Sequence, residues 1–551
     1  MKLDERSLQD RGAWERIGVR LPAFDRKAMR EETAARPTWV HFGPGNLFRA
    51  FHAMIQQTLI EQGLARGGIY AVATGGRETI EASYAPYDDL SILVTRRPDG
   101  ESVRTVVAAV TGCLCADAAY PADYERLIAI FRAPSLQLAT FTITEKGYAL
   151  TGGDGRFFPM AERDIAAGPH KGKHAMSKLA SMLLERFRAG GAPLAAVSTD
   201  NCSRNGEKLR SGVMTLAEAW RENGFVEKAF VDWVGDERNV SFPWTMIDKI
   251  TPRPAQSVAD ELARLGIEGM DVHTTPRGGR TAAFVNAEEP QYLVIEDRFP
   301  NGRPPLEAAG VSMTDRETVE RVEKMKVSAC LNPLHTALAV FGCLLGYDSI
   351  AAEMRDAELK RLVERIGYDE GLPVVADPGI IRPADFLHEV IERRFPDPFV
   401  PDTPQRIAAD TSQKIPVRYG ETIKSYVARG DLDPGELVYI PLAIAGWLRY
   451  LLGLDDGGRP FVCSGDPRLE ELQERLSGVE LGRPDSLGSR LRPILADKAL
   501  FGADLTALAL GGRIERMVKD MLRGPGAVRA TLKRYLDDRG EAFRPGKSGG
   551  V

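Results

Sequence analysis

Residues 37–63 read PTWVHFGPGNLFRAFHAMIQQTLIEQG. A short β-branched and aromatic run ends at Gly43, two glycines flank a proline, and an amphipathic stretch follows that stops at Gly63, which together spell strand, glycine turn and helix. A second strand-like run, IYAVAT at 69–74, comes at the spacing of a βαβ unit, whose parallel strands need a helical crossover. The chain therefore begins as α/β. Working outward, LSILVTRRPDGESVRTVVAAV from Leu90 places Pro98-Asp99-Gly100 between two strand-like runs, a hairpin signal inserted into the alternation. The alternation resumes with a helical pattern at 123–132 before LQLATFTITE, and another at 176–187 before LAAVSTDN. One doubly wound, Rossmann-like domain accounts for these crossovers.

Gly43-Pro44-Gly45-Asn46-Leu47-Phe48 carries the first two glycines of a dinucleotide fingerprint, with Phe48 in place of the third. Gly43 suits a tight turn, and a bare backbone at Gly45 would let a pyrophosphate reach the N–H groups at the helix start. A glycine turn that binds nothing explains the same residues. The second strand ends in Thr74-Gly75-Gly76-Arg77-Glu78 without the usual aspartate. Glu78 could meet the ribose hydroxyls of NAD, and Arg77 could take the 2′-phosphate of NADP; the reading favours NAD.

After YLVIED at 292–297 the pattern becomes helical, at 316–347, 350–366, 383–394, 421–429, 438–452 and 505–533. The expectation is a dinucleotide-binding domain over residues 1–300 and an all-α domain over 301–551, with a frayed tail, RPGKSGGV. The length of 551 residues suits two domains. With 72 Lys plus Arg against 77 Asp plus Glu, the net charge is −5, so no basic field calls for nucleic acid. The apolar stretch at 336–347 is short of the roughly 20 residues a membrane span needs, and the run at 439–454 contains Arg449. Six cysteines are too few for a disulfide framework, and the charged start lacks the apolar core of a secretion signal, which points to the cytoplasm. Cys113-Leu114-Cys115 lacks the usual gap of a zinc site and the seven histidines are scattered, so no metal is expected.

Glu323-Lys324-Met325-Lys326-Val327-Ser328-Ala329-Cys330-Leu331-Asn332-Pro333-Leu334-His335 gathers a carboxylate, two lysines, an amide and an imidazole. Each has an ordinary explanation as a solvated helix face, a helix cap before proline, or a core histidine. Lys326 and Asn332 are six apart, about 240° around an ideal helix, so the helix must break if both face one site. Asn332-Pro333 offers the break, because the residue before proline avoids the α region.

With these residues in view, the chain resembles the mannitol dehydrogenase family of polyol-specific long-chain dehydrogenases. The matching stretches are HFGPGNLFRAFH, TEKGY from Thr144, STDN from Ser198, SFPWTMIDKITP from Ser241, QYLVIEDRF from Gln291 and RIAADTSQK from Arg406. The family pattern has four residues between its lysine and asparagine, and here Lys326 and Asn332 have five between them. The resemblance implies metal-independent hydride transfer between a nicotinamide and C2 of a sugar-derived small molecule. It makes Lys326 the general acid or base, a task for which a lysine must be tuned by burial or nearby positive charge. It makes Asn201 and Asn332 hydrogen-bond donors to the C2 oxygen, His335 an orienting group and Glu323 a proton conduit. It places Asp248, Arg406 and Lys414 at the substrate, and Arg418, four beyond Lys414, adds a cation that suits a sugar acid better than a neutral polyol. A catalytically silent nucleotide or sugar sensor on the same fold is the alternative of another class, and the presence of Lys326, Asn201, Asn332 and His335 speaks against it.

Overall fold

A computed structural model describes residues 1–97, 100–276 and 278–537. The chain divides into two compact units, Met1–Glu320 and Arg321–Val551. In the first, six strands form one parallel sheet: β1 (Trp39–Phe42), β2 (Ile69–Ala73), β3 (Val110–Cys115), β4 (Leu138–Phe141), β5 (Leu194–Ser198) and β6 (Val240–Ser241). Their spatial order is β3-β2-β1-β4-β5-β6, that of a doubly wound dinucleotide-binding sheet. The strands are apolar on both faces because both faces are covered. Val40, Phe42 and Val72 pack on one side with Phe131, Leu183 and Trp220, while Trp39, Ile69 and Leu138 pack on the other with Phe48 and Ile55. The order reverses between β1 and β4, which puts Gly43 and Thr142 side by side at the carboxyl ends of the strands.

The hairpin expected near residue 98 forms, with Ser91–Arg96 antiparallel to Ser102–Val107, but not within the parallel sheet. It belongs to a separate four-stranded sheet, between Val19–Arg20 and Phe284–Glu288. Its edges are completed by strands far away in sequence, a pairing that local pattern does not encode. Gly100 N–H donates to Arg97 O at 2.9 Å, and Pro98 and Asp99 lie outside the described residues.

The division falls at Glu320 and Arg321 instead of at 300 and 301. Ser312–Thr314 still pairs in parallel with Tyr292–Glu296, and Arg316 Nε donates to Glu296 at 3.0 Å, so the segment after 300 remains tied to the first unit. The second unit has no strand among the described residues, apart from isolated bridges such as Leu454 with Pro460. Its central helix starts before the division, at Arg316, and runs to Leu345, interrupted only by a π turn at Lys326–Cys330 and a bend at Leu331. It is long and apolar enough to cross a membrane, yet 83% of its most apolar window is buried inside the protein, as in a core helix. The pattern at 505–533 resolves into two helices, Leu510–Met521 and Ala527–Leu536. Gly524 and Gly526, at φ 146° and 80°, make the corner between them. The tail at 544–551 lies outside the described residues.

Candidate active site

At the end of β1, Gly43 N–H donates to Val72 O at 2.9 Å, and Gly43 has φ 106°. A Cβ there would stand 2.1 Å from Thr142 O, so only glycine fits. Gly45 differs: a Cβ there would meet nothing within 4 Å, and Gly45 O accepts the bond from Arg49 N–H that opens the helix. The protein itself does not require glycine at 45, whereas a pyrophosphate approaching the backbone at this helix start would. The loop is braced from inside. Asn46 Nδ2 donates to Pro252 O at 3.0 Å, Arg49 donates to Asn46 Oδ1 and Ala282 O at 2.9 and 2.7 Å, and Tyr84 OH donates to Pro44 O at 2.9 Å. Leu47 is half-buried. Phe48 is fully buried and stacks on His41 with ring centres 4.3 Å apart. Phe48 and the amide of Asn46 are therefore committed to the protein, and any contact of theirs with a nucleotide runs through the backbone.

At the end of β2, Glu78 opens the helix Glu78–Ser83, and its carboxylate folds over Gly76, where a Cβ would lie 2.3 Å from Oε2. Arg77 pairs with Asp123 and lies 3.6 Å from Glu81. Beyond β5, Asn201 is exposed on a loop held by its neighbour Asp200. Asp200 accepts bonds from Ile143 N–H at 2.9 Å, Thr144 N–H at 3.0 Å and the Tyr148 hydroxyl. Ser198 Oγ donates to Tyr148 at 2.8 Å. This joins the STDN and TEKGY segments, and it explains how Thr144 is held at φ 66°. Asp248 is buried at the end of Thr245–Asp248, the strand antiparallel to Tyr292–Glu296.

In the second unit the two candidate lysines separate cleanly. Lys324 is exposed, with Nζ 3.8 Å from Glu421, whereas Lys326 is 3% exposed and opens the π turn. A π turn takes in about one residue more than an α turn. Six residues that include one therefore subtend about the angle that five subtend in a regular helix, so the added residue before Asn332 is absorbed in Lys326–Cys330. The non-helical residue is Leu331, at φ −130° and ψ −62°, and the new helix starts at Asn332 with Pro333 in its first turn, so the break falls one residue before the asparagine that the proline singles out. Glu323 is half-buried one turn before Lys326.

Asn332, His335 and the three cations form one wall. Arg418 Nη1 donates to Asn332 O at 3.1 Å and to Thr336 Oγ1. Lys414 Nζ donates to Ile407 O at 3.0 Å and to Ala409 O, at the end of the short helix Pro404–Ile407 that carries Arg406. Arg406 pairs with Asp402, whose other oxygen lies 3.5 Å from His335 Nε2 without a hydrogen bond between them. Burial, then Arg418, Arg406, Lys414 and Arg394, push the imidazole of His335 down to about 3, so it is neutral and its Nε2 lacks a partner. The 3.5 Å approach is therefore no ion pair. Burial and the neighbouring arginines bring Lys414 to about 8, and burial brings Arg418 to about 10. Sequence reading missed Asp402, whose only local signal is the cap-and-proline pair Thr403-Pro404 behind it, and it missed the clamp at Asp200, visible only as two matching segments. Among the described residues no group of three His, Cys, Asp or Glu side chains is placed to hold a metal.

Residues 37–308 match the mannitol dehydrogenase Rossmann domain, and residues 318–522 match the mannitol dehydrogenase C-terminal domain. The chain is 52% identical over 538 residues to a D-mannonate oxidoreductase of Thermotoga maritima, covering 97% of this chain and 99% of the relative. A substrate-free D-sorbitol dehydrogenase structure superimposes with a TM-score of 0.77 at 26% identity, over 94% of this chain and 97% of that one. A ternary complex of Pseudomonas fluorescens mannitol 2-dehydrogenase with NAD and D-mannitol gives a TM-score of 0.70 at 25% identity, over 98% and 100%.

Proposed function

From the premise that this chain belongs to the mannitol dehydrogenase family, we propose that it is an NAD-dependent, metal-independent reductase of D-fructuronate, interconverting that keto-uronate with D-mannonate. The observation that carries the choice of a sugar acid is the wall of Arg406, Lys414 and Arg418 around His335 and Asn332. A carboxylate is the group that such a wall binds best. The relatedness to a D-mannonate oxidoreductase supports the same choice.

The residues at the end of β1 fit a dinucleotide: Gly45 would lie under the pyrophosphate, and the backbone from Asn46 to Phe48 would face it. Bound NADH supplies the hydride for C2. Lys326 gives the C2 oxygen its proton in reduction and takes it back in oxidation, and its burial keeps bulk water from competing for that proton. The amide of Asn332 donates to the same oxygen as negative charge grows on it, and Asn201 has the same proposed role. Neutral His335 orients the substrate through its unpartnered Nε2, and Asp248 binds a substrate hydroxyl. Glu323 passes the proton of Lys326 to solvent.

The test is steady-state reduction of fructuronate, tagaturonate and fructose with NADH and with NADPH, repeated for Arg406→Ala, Lys414→Ala and Arg418→Ala. The expected result is a strong preference for fructuronate and NADH, with the ratio of fructuronate to fructose falling about 10- to 150-fold when the responsible cation is removed. A preference for fructose, or equal losses on both substrates in all three variants, would make mannitol 2-dehydrogenase the better reading.

A further inference from the structure

The end of β2 holds an arginine in the place from which it would reach the adenosine ribose, and the fold occupies that arginine with carboxylates. In a sheet of this order, a basic residue after the second strand takes the 2′-phosphate of NADP, and an acidic one binds the ribose hydroxyls of NAD. Arg77 stands there, but its Nη1 pairs with Asp123, its Nε lies 3.6 Å from Glu81, and its guanidinium lies 5.6 Å from the centre of the Tyr120 ring. Asp123 is itself fixed. It lies in the helix Pro121–Arg132 that follows β3, it is 16% exposed, and the oxygen that meets Arg77 also accepts Cys115 N–H at 3.0 Å. Glu78 adds a carboxylate over Gly76 on the same turn.

We infer that Asp123 is a coenzyme-specificity residue: it latches Arg77 away from the nucleotide, so that the chain selects a free ribose 2′-hydroxyl over a 2′-phosphate. A phosphate arriving at Arg77 must displace a carboxylate already bonded to it and held by a backbone N–H. A ribose hydroxyl makes no such demand. This inference rests on the reading that a dinucleotide binds along the ends of β1 and β2, and it is independent of which sugar is reduced.

The experiment titrates the full-length protein with ADP and with 2′,5′-ADP by calorimetry, with no sugar present. Wild type should bind ADP more tightly than 2′,5′-ADP. Asp123→Asn keeps an acceptor for Cys115 N–H and removes the charge, so 2′,5′-ADP should gain about tenfold or more while ADP is unchanged, because a freed arginine makes charge-assisted bonds to a phosphate. Adding Arg77→Gln to that variant should remove the gain. If Asp123→Asn fails to fold, Glu81→Gln loosens the other side of the latch and should shift the preference in the same direction by less. The inference is overturned if wild type already prefers 2′,5′-ADP, if neither Asp123→Asn nor Glu81→Gln moves the preference, or if the gain survives Arg77→Gln. Absence of binding by both nucleotides would instead remove the dinucleotide reading, and this inference with it, so the ADP titration separates the two failures.

Discussion

The turn at Gly43–His52 and the turn at Lys326–His335 are built alike and work oppositely. Each carries a π turn, Phe48–His52 in the first and Lys326–Cys330 in the second, where a helix adjusts its winding beside a candidate site. In the first, the polar and aromatic side chains face the protein: Asn46, Arg49 and Tyr84 brace the loop and Phe48 fills the core, leaving bare backbone at Gly45. In the second, the side chains make the candidate site: an amide and a neutral imidazole stand beside three cations, and a buried lysine opens the π turn. A site made of backbone should tolerate few added atoms, and a site made of side chains should tolerate few removed ones.

The sharpest test of that contrast is the pair Lys326→Ala and Lys324→Ala. General acid–base catalysis contributes about 10²–10⁴-fold, so kcat should fall by that order in Lys326→Ala with NADH affinity unchanged. Lys324, exposed and beside Glu421, should be replaceable with nearly full rate. The reverse outcome, with Lys324 essential and Lys326 dispensable, would mean that the π turn does not absorb the added residue.

The glycines come next in size. Gly45→Val should fold and lose NADH binding by about tenfold or more, since the added Cβ has nothing within 4 Å of it until a pyrophosphate arrives. Gly43→Ala should instead lose stability by roughly 1–3 kcal/mol, from strain at φ 106° and from the collision with Thr142 O. Thermal melts with nicotinamide fluorescence titrations distinguish the two. A Gly45→Val protein that binds NADH normally would move the nucleotide elsewhere.

What the sequence could show follows from where the determining contacts lie. Four strands of the parallel sheet, β1, β2, β4 and β5, announce themselves as short runs of mostly apolar residues, as in IYAVA and LAAVS, whereas Val110–Cys115 merges with the hairpin before it and Val240–Ser241 is too short to stand out. The helix start at Asn332-Pro333 is equally local. The hairpin after Leu90 was legible as a hairpin, but its sheet depended on Phe284–Glu288, which no neighbouring residue specifies. Phe48 read as part of a nucleotide motif because the motif is counted along the chain, whereas its side chain turns into the core against His41. Arg77 was visible as a cation, and its partner Asp123, 46 residues on, was not. Asp402 stayed hidden for the same reason, since its approach to His335 is made by folding alone. The π turns carry no composition of their own.

The smallest expected effect is on pH dependence, and it tests whether the second turn recognises charge. Lys414 sits below its ordinary range, at about 8, because burial and Arg418 both oppose its proton. It is therefore a cation below pH 8 and increasingly neutral above it. If its charge helps to hold a substrate carboxylate, kcat/KM for fructuronate should fall relative to that for fructose as pH rises through 8, by no more than about tenfold between pH 7 and pH 9 because one cation of three is being lost. Taking the ratio of the two substrates removes the proton-transfer step, which is common to both. Lys414→Arg carries its charge through this range and should flatten the ratio, and Lys414→Ala should flatten it at the lower value. A wild-type ratio that does not change from pH 7 to pH 9 would leave carboxylate recognition to Arg406 and Arg418 alone, and it would reduce Lys414 to a cap on the carbonyls of Ile407 and Ala409.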